Sequence, residues 1–87
     1  MLDHLDARIT YDQNDVTAAV SRFGVLGFGS TLDEAIADLL VEMNAKARRM
    51  LAATDRYRLA PEELDLLRLF VQSSSEEQKA MLSRELS

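Results

Sequence analysis

The chain has 87 residues, of which 47% are hydrophobic and 29% charged, and its net charge is −5. This profile is typical of one small folded domain, and the acidity argues against a non-specific grip on nucleic-acid phosphates. The absence of cysteine excludes disulfides, thiolate metal ligands and a cysteine nucleophile. The first ten residues show no signal-peptide pattern and no apolar run approaches membrane-spanning length, so we expect a cytoplasmic protein without membrane contact.

Two stretches near the start of the chain alternate between apolar and polar residues. Residues 7–12 and 16–21 each place their apolar side chains on one face, and Gln13-Asn14-Asp15 between them is rich in turn formers. This pattern predicts a β-hairpin. Residues 23–28 suggest a short third strand, with Gly24 easing the turn into it.

A long helix over about residues 31–53 is predicted next. Thr31 can cap its start, and Glu34 completes a capping box. Acidic residues dominate its early turns and basic residues its late turns, which suits the helix dipole. Its apolar positions follow the 3.6-residue period over more than five turns; they are Leu32, Ile36, Leu39, Leu40, Met43, Ala47, Met50 and Leu51.

The remaining residues predict two short helices. Residues 55–59 read as a fourth strand or as a connector, and Pro61 then marks a helix start. Residues 73–75 interrupt the apolar run, and a final helix begins with Ser75 as its expected cap. The prediction is therefore an α+β fold, in which a small antiparallel sheet of three or four strands is covered by one long helix. Residues 1–59 form the domain, and residues 60–87 form a helical tail that belongs to it or extends towards a partner.

All three glycines of the chain, Gly24, Gly27 and Gly29, precede the long helix. Such a stretch can cradle a phosphate at a helix start. Here the order G-x-x-G-x-G is the reverse of the dinucleotide fingerprint and no lysine follows. Asp33 and Glu34 would also repel an anion. We therefore expect a structural joint between sheet and helix.

No catalytic, metal or cofactor site emerges from the residue pattern. His4 is the only histidine, has no obvious orienting partner, and is expected at the surface. We therefore predict a protein that is not an enzyme and needs no cofactor.

Two groups of residues are candidates for binding. The apolar tail needs a cover, either its own core or another chain; its predicted partner-binding residues are Leu64, Leu67, Phe70, Val71 and Met81. A basic group at the end of the long helix could touch nucleic acid, although acidic neighbours and a lack of interleaved aromatics disfavour this. Its members are Lys46, Arg48, Arg49, Arg56 and Arg58.

The stretch from Tyr11 to Leu40 resembles the HicB-like antitoxin family. The likeness covers about residues 7–59 and lies in a glycine-rich motif that runs into a helix. The matching residues are Gly24, Val25, Gly27, Phe28, Gly29, Thr31, Glu34 and Ala35. The resemblance implies a β-β-β-α-β arrangement and an antitoxin that binds and masks a small basic ribonuclease toxin.

Family members often carry a DNA-binding domain as well, but residues 61–87 are too few for a helix-turn-helix or ribbon-helix-helix domain. The leading hypothesis is therefore a non-catalytic, protein-binding module with a small basic protein partner. The alternatives are a nucleic-acid-binding transcriptional regulator, or a phage or prophage inhibitor that uses the same small fold. An open sheet edge and the apolar tail also favour a homodimer.

Overall fold

In a computed structural model, the backbone is described for residues 5–86 and the side chains for residues 5–82. The chain forms β1 (Leu5–Asp12), β2 (Asp15–Val20), a 3₁₀ turn (Ser21–Phe23), β3 (Val25–Gly29), α1 (Leu32–Ala52), α2 (Thr54–Tyr57), α3 (Pro61–Gln72), α4 (Ser75–Ala80) and β4 (Leu82–Leu86).

The four strands form one sheet in the order β3-β2-β1-β4. The pairs β1–β2 and β2–β3 are antiparallel, and β4 runs parallel to β1. The register places Ile9 beside Ala18, and Ala18 beside Gly27. These three residues are buried, so the inward positions of three strands line up under the helix.

The helix α1 covers one face of the sheet and encloses the core with it. Its buried residues follow the predicted period; they are Ala35, Ile36, Leu39, Leu40, Met43, Ala47 and Met50. The predicted capping box at its start is present. The Thr31 hydroxyl accepts from the Glu34 N–H at 3.1 Å, and a Glu34 carboxylate oxygen accepts from the Ser30 N–H at 2.8 Å.

The three-stranded antiparallel sheet, the long helix and the α+β class are confirmed. The third strand, however, begins at Val25, because residues 21–23 form the 3₁₀ turn. Gly24 ends that turn in a left-handed conformation with φ of 66°, which glycine adopts without a Cβ clash.

Of the two alternatives for residues 55–59, the strand is wrong. Thr54–Tyr57 form the short helix α2, which ends at Arg58 with φ of 47°. The fourth strand is instead β4, which lies where the final helix was expected to continue. That helix ends at Ala80, and the Leu5 N–H donates to the Met81 carbonyl oxygen at 2.8 Å, which starts the pairing with β1.

The cap of the final helix also lies one residue earlier than predicted. The Ser74 hydroxyl accepts from the Glu77 N–H at 3.2 Å, and the Glu77 carboxylate accepts from the Ser74 N–H at 2.8 Å. The hydrogen bond from the Ser74 N–H to the Glu77 carboxylate is the main cause that holds the pKa of Glu77 below its usual range, and the Ser74 side chain lowers it further.

The tail packs onto the same core as the rest of the chain. Leu66, Leu67 and Phe70 of α3 are buried in the cluster formed by the sheet and α1. A pair of side-chain amides joins α4 to α1: Asn44 and Gln78 exchange two hydrogen bonds of 3.0 Å. Gln78 also donates to the Phe70 carbonyl oxygen at 2.6 Å, so α1, α3 and α4 are fixed together.

Candidate partner-binding surface

The face of the sheet opposite α1 carries exposed apolar side chains. Leu26 and Phe28 of β3 are 49% and 59% exposed. Their cross-strand neighbours on β2 are Ala19 and Thr17, which are half-buried. We call these four residues, together with the exposed Arg8 and Thr10 of β1, the open face.

An open cleft of about 530 Å³ lies where the open face meets the start of α1. We call it the acidic cleft, because three carboxylates line it; its residues are Asp12, Asp15, Thr17, Phe28, Gly29, Ser30 and Glu34. The hairpin supplies two of the carboxylates and the first turn of α1 supplies the third. Phe28 belongs to both the cleft and the open face, so apolar and negative surface are continuous there.

The two aspartates of the cleft face each other across the hairpin. Asp12 and Asp15 are directly opposite in the β1–β2 register, and both are exposed. Like charges directly opposite each other destabilise a strand pair. Within the part of the chain that the structure describes, no ion pair compensates either carboxylate.

The backbone donors around the glycines are already used by the chain itself. The Phe28 N–H donates to Asp38 Oδ2 at 2.9 Å, and the Ser30 N–H donates to Glu34 Oε1 at 2.8 Å. The protein's own carboxylates thus occupy the positions in which a phosphate loop would hold an anion. This arrangement agrees with the interpretation of the glycine-rich stretch as a structural joint.

The predicted partner-binding residues of the tail do not form an exposed surface. Leu67 and Phe70 are completely buried in the chain's own core, so their assignment as partner contacts is corrected. Leu64, Val71 and Met81 are half-buried, and the last two pack against that core. The apolar residues around most of the circumference of α3 are therefore covered mainly by the chain's own core.

Sequence reasoning did not identify Leu26 and Phe28 as surface residues. The alternation within β3 could have identified them, because Val25 and Gly27 point inward and are buried. A period of two then sends the larger Leu26 and Phe28 outward.

The predicted basic group lies at the C-terminal end of α1 and in α2. Lys46 Nζ lies 5.9 Å from the centre of the Tyr57 ring, a cation–π distance. The four arginines are exposed and have no ion-pair partner among the side chains of residues 5–82; they are Arg48, Arg49, Arg56 and Arg58. Their charges complement the negative end of the α1 dipole.

Two further results concern metals and membranes. Among the side chains of residues 5–82, no three acidic or histidine groups are placed so as to hold a metal ion; His4 lies outside the described residues. No described helix has the length and apolarity needed to cross a bilayer.

These features define a small α+β protein in which a helix covers one face of the sheet, while the other face is open and carries exposed apolar side chains beside an acidic cleft. The sequence matches no protein-family model and no curated protein. Its structure is similar to that of an antitoxin part of a proposed toxin/antitoxin system from Syntrophomonas wolfei subsp. wolfei, with a TM-score of 0.77 and 16% sequence identity. The match covers 97% of this chain and 64% of that chain. The two proteins therefore share a fold, and this chain spans about two thirds of the length of its neighbour.

Proposed function

We propose that this chain is a non-catalytic protein-binding module that acts as a HicB-like antitoxin and masks a small, basic, toxin-like protein. The fold shared with an antitoxin supports this proposal. The observation that carries it is the exposure of Leu26 and Phe28 on a sheet face that no described element covers. Exposed apolar side chains rimmed by polar residues are typical of protein interaction surfaces.

Electrostatics supports a basic partner. The chain carries a net charge of −5, and opposite charge on a partner accelerates association and disfavours wrong partners. A small basic ribonuclease must leave its cationic surface open to RNA. An acidic protein that covers that surface would therefore block it directly.

Co-expression with the product of the adjacent gene tests the proposal. We expect a small basic protein that co-purifies with this chain, and we expect its expression alone to slow growth. Co-expression of this chain should restore growth. If neither adjacent gene product binds, and neither slows growth, the proposal is wrong.

A second candidate function is nucleic-acid binding by the arginines near the end of α1. It is favoured by one observation, namely that Arg48, Arg49, Arg56 and Arg58 are exposed and without ion-pair partners in the described residues. A gel shift with operon DNA or RNA at low salt tests it. The Arg48→Glu plus Arg49→Glu variant should abolish the shift. A wild-type protein that gives no shift refutes this function.

A homodimer in the cytoplasm is the proposed state of the protein. Among the strands that the structure describes, none pairs with the outer edge of β4, and open edges favour pairing with another chain. Sedimentation at micromolar concentration distinguishes a dimer from a monomer. A monomer would contradict the dimer and leave the binding function untouched.

A further inference from the structure

We propose that the acidic cleft and the adjoining Leu26 and Phe28 form the docking surface for a basic protein segment. An arginine or lysine of that segment would lie over the Phe28 ring, with its charge among Asp12, Asp15 and Glu34. This inference rests on the proposed function, and it adds the surface and the chemistry of the partner.

The apolar part of the surface supplies the contact area. Leu26 and Phe28 lie two residues apart on β3 and point to the same side of the sheet. Burial of such side chains contributes about 25 cal/mol per Å² of apolar area removed from water. Aromatic residues are frequent among the residues that dominate binding energy, and the Phe28 ring also offers its face to a cation.

The charged part of the surface selects a cation. Asp12 and Asp15 repel each other across the hairpin, and Glu34 adds a third carboxylate at the cleft. A positive group among them gains attraction and relieves the repulsion at once. A guanidinium suits this place well, because it pairs with two carboxylate oxygens and stacks on aromatic rings.

The same geometry disfavours nucleic-acid backbone as the occupant. Phosphates bind where backbone N–H groups point at them, but Asp38 and Glu34 already accept the hydrogen bonds of the Phe28 and Ser30 N–H groups. The remaining negative charge repels a phosphate. The cleft therefore fits a basic protein segment.

Asp38 also decides how the segment approaches. β3 is an edge strand, and the Phe28 N–H is occupied by the Asp38 side chain rather than by β2. A strand added at this edge would lack that donor. The partner segment therefore lies across the open face and does not extend the sheet at β3.

Backbone NMR with a short basic peptide tests the surface directly. The probe is acetyl-RLRLR-amide, and acetyl-ELELE-amide is the control of opposite charge. We expect the basic peptide to shift the amide signals of the cleft residues and of Leu26, with a Kd of about 1 mM. The acidic peptide should shift none of them. No binding of the basic peptide at several millimolar, or shifts confined to other surfaces, would overturn the inference.

Charge variants with a matched control sharpen the test. The cleft variant combines Asp12→Asn, Asp15→Asn and Glu34→Gln; Gln at position 34 retains an oxygen acceptor for the Ser30 N–H. The control carries the same charge change on exposed acids of α3 and α4, namely Glu62→Gln, Asp65→Asn and Glu76→Gln. We expect the cleft variant to weaken peptide binding by about tenfold and the control by less than about twofold. Equal effects would mean that only net charge matters and would refute the docking surface.

Phe28→Ala separates the aromatic contribution from charge. Because Phe28 is 59% exposed, the substitution should leave the fold intact, which dispersed NMR spectra verify. We expect several-fold weaker peptide binding, while Leu69→Ala, at a similarly exposed leucine on α3, changes nothing.

The same variants in the co-expression assay test the antitoxin function and the docking surface separately. If the adjacent gene product binds wild type and cleft variant equally, the function stands and the surface is wrong. If no adjacent product binds but the basic peptide still occupies the cleft, the antitoxin function fails and the cleft remains a site for basic segments.

Discussion

Gly27 sets the distance between the sheet and α1, and Gly27→Ala should therefore be strongly destabilising. A Cβ at this position would lie 2.5 Å from the Ala35 carbonyl oxygen and 2.6 Å from Leu39 Cα. Both neighbours are backbone atoms of α1, so no side chain can rotate away. The helix as a whole would have to move by about 1 Å to reach ordinary van der Waals contact at 3.4 Å.

Overpacking of a close-packed core costs about 1–3 kcal/mol. The upper end applies here, because a rigid displacement of α1 loosens every contact between the helix and the sheet. A loss of about 3 kcal/mol is a large part of the 5–15 kcal/mol typical of a domain. For a chain of this size it corresponds to a fall in Tm of about 12–24 °C.

Urea and thermal denaturation, followed by circular dichroism, measure the effect. Gly24→Ala is the control: the added Cβ would meet no atom within 4 Å, but the φ of 66° is unfavourable for alanine. Its expected cost is about 1–2 kcal/mol. If Gly27→Ala changes the free energy of unfolding by less than about 0.5 kcal/mol, the close approach of α1 to β3 is refuted.

Three further predictions concern hydrogen bonds in α1, α3 and α4. Gln78→Ala leaves the half-buried Asn44 side-chain oxygen without its donor and should cost about 2 kcal/mol. In a double-mutant cycle followed by urea denaturation, Gln78→Ala and Asn44→Ala should be clearly non-additive, and additive values would contradict the coupling. Asp38→Ala frees a backbone N–H on the edge of β3 and should increase self-association in sedimentation experiments, whereas Asp38→Asn, which retains an oxygen acceptor, should not. The backbone hydrogen bond from Ala60 is the main cause that holds the pKa of Glu63 below its usual 4.5. The stability that Glu63 contributes is therefore present above about pH 4.5 and is lost as the pH falls through the lower, folded-state pKa. Glu63→Gln should reduce the decline of the free energy of unfolding over this acidic range, and an unchanged decline would refute the assignment.

The sequence patterns predicted those elements whose formation depends on residues close together in the chain. The alternation around Ile9 and Val16 and the cap at Thr31 each depend on neighbours within a few residues, and each gave the observed element. The strand at Leu82–Leu86 could not be found in this way. Its sequence LSREL suits a helix equally well, and its pairing with β1 decides the outcome.

The position of the candidate surface was only partly visible in the sequence. Net acidity indicated a basic partner, but the residues first favoured, such as Leu67 and Phe70, are in the core. An apolar helix in the sequence does not reveal whether its own chain covers it. Conversely, the opposition of Asp12 and Asp15 depends on the hairpin register, which residue types alone do not fix.

The parallel pairing of β4 with β1 has a consequence for the order of folding. Leu5 lies beside Leu82, so this contact joins segments that are separated by almost the whole sequence. Closing so long a loop is entropically slow, whereas the hairpin, β3 and α1 are neighbours along the chain. During synthesis, the edge of β1 that pairs with β4 therefore stays unpaired until β4 has been made. That interval is when an emerging chain is most exposed to faulty pairing and to proteases.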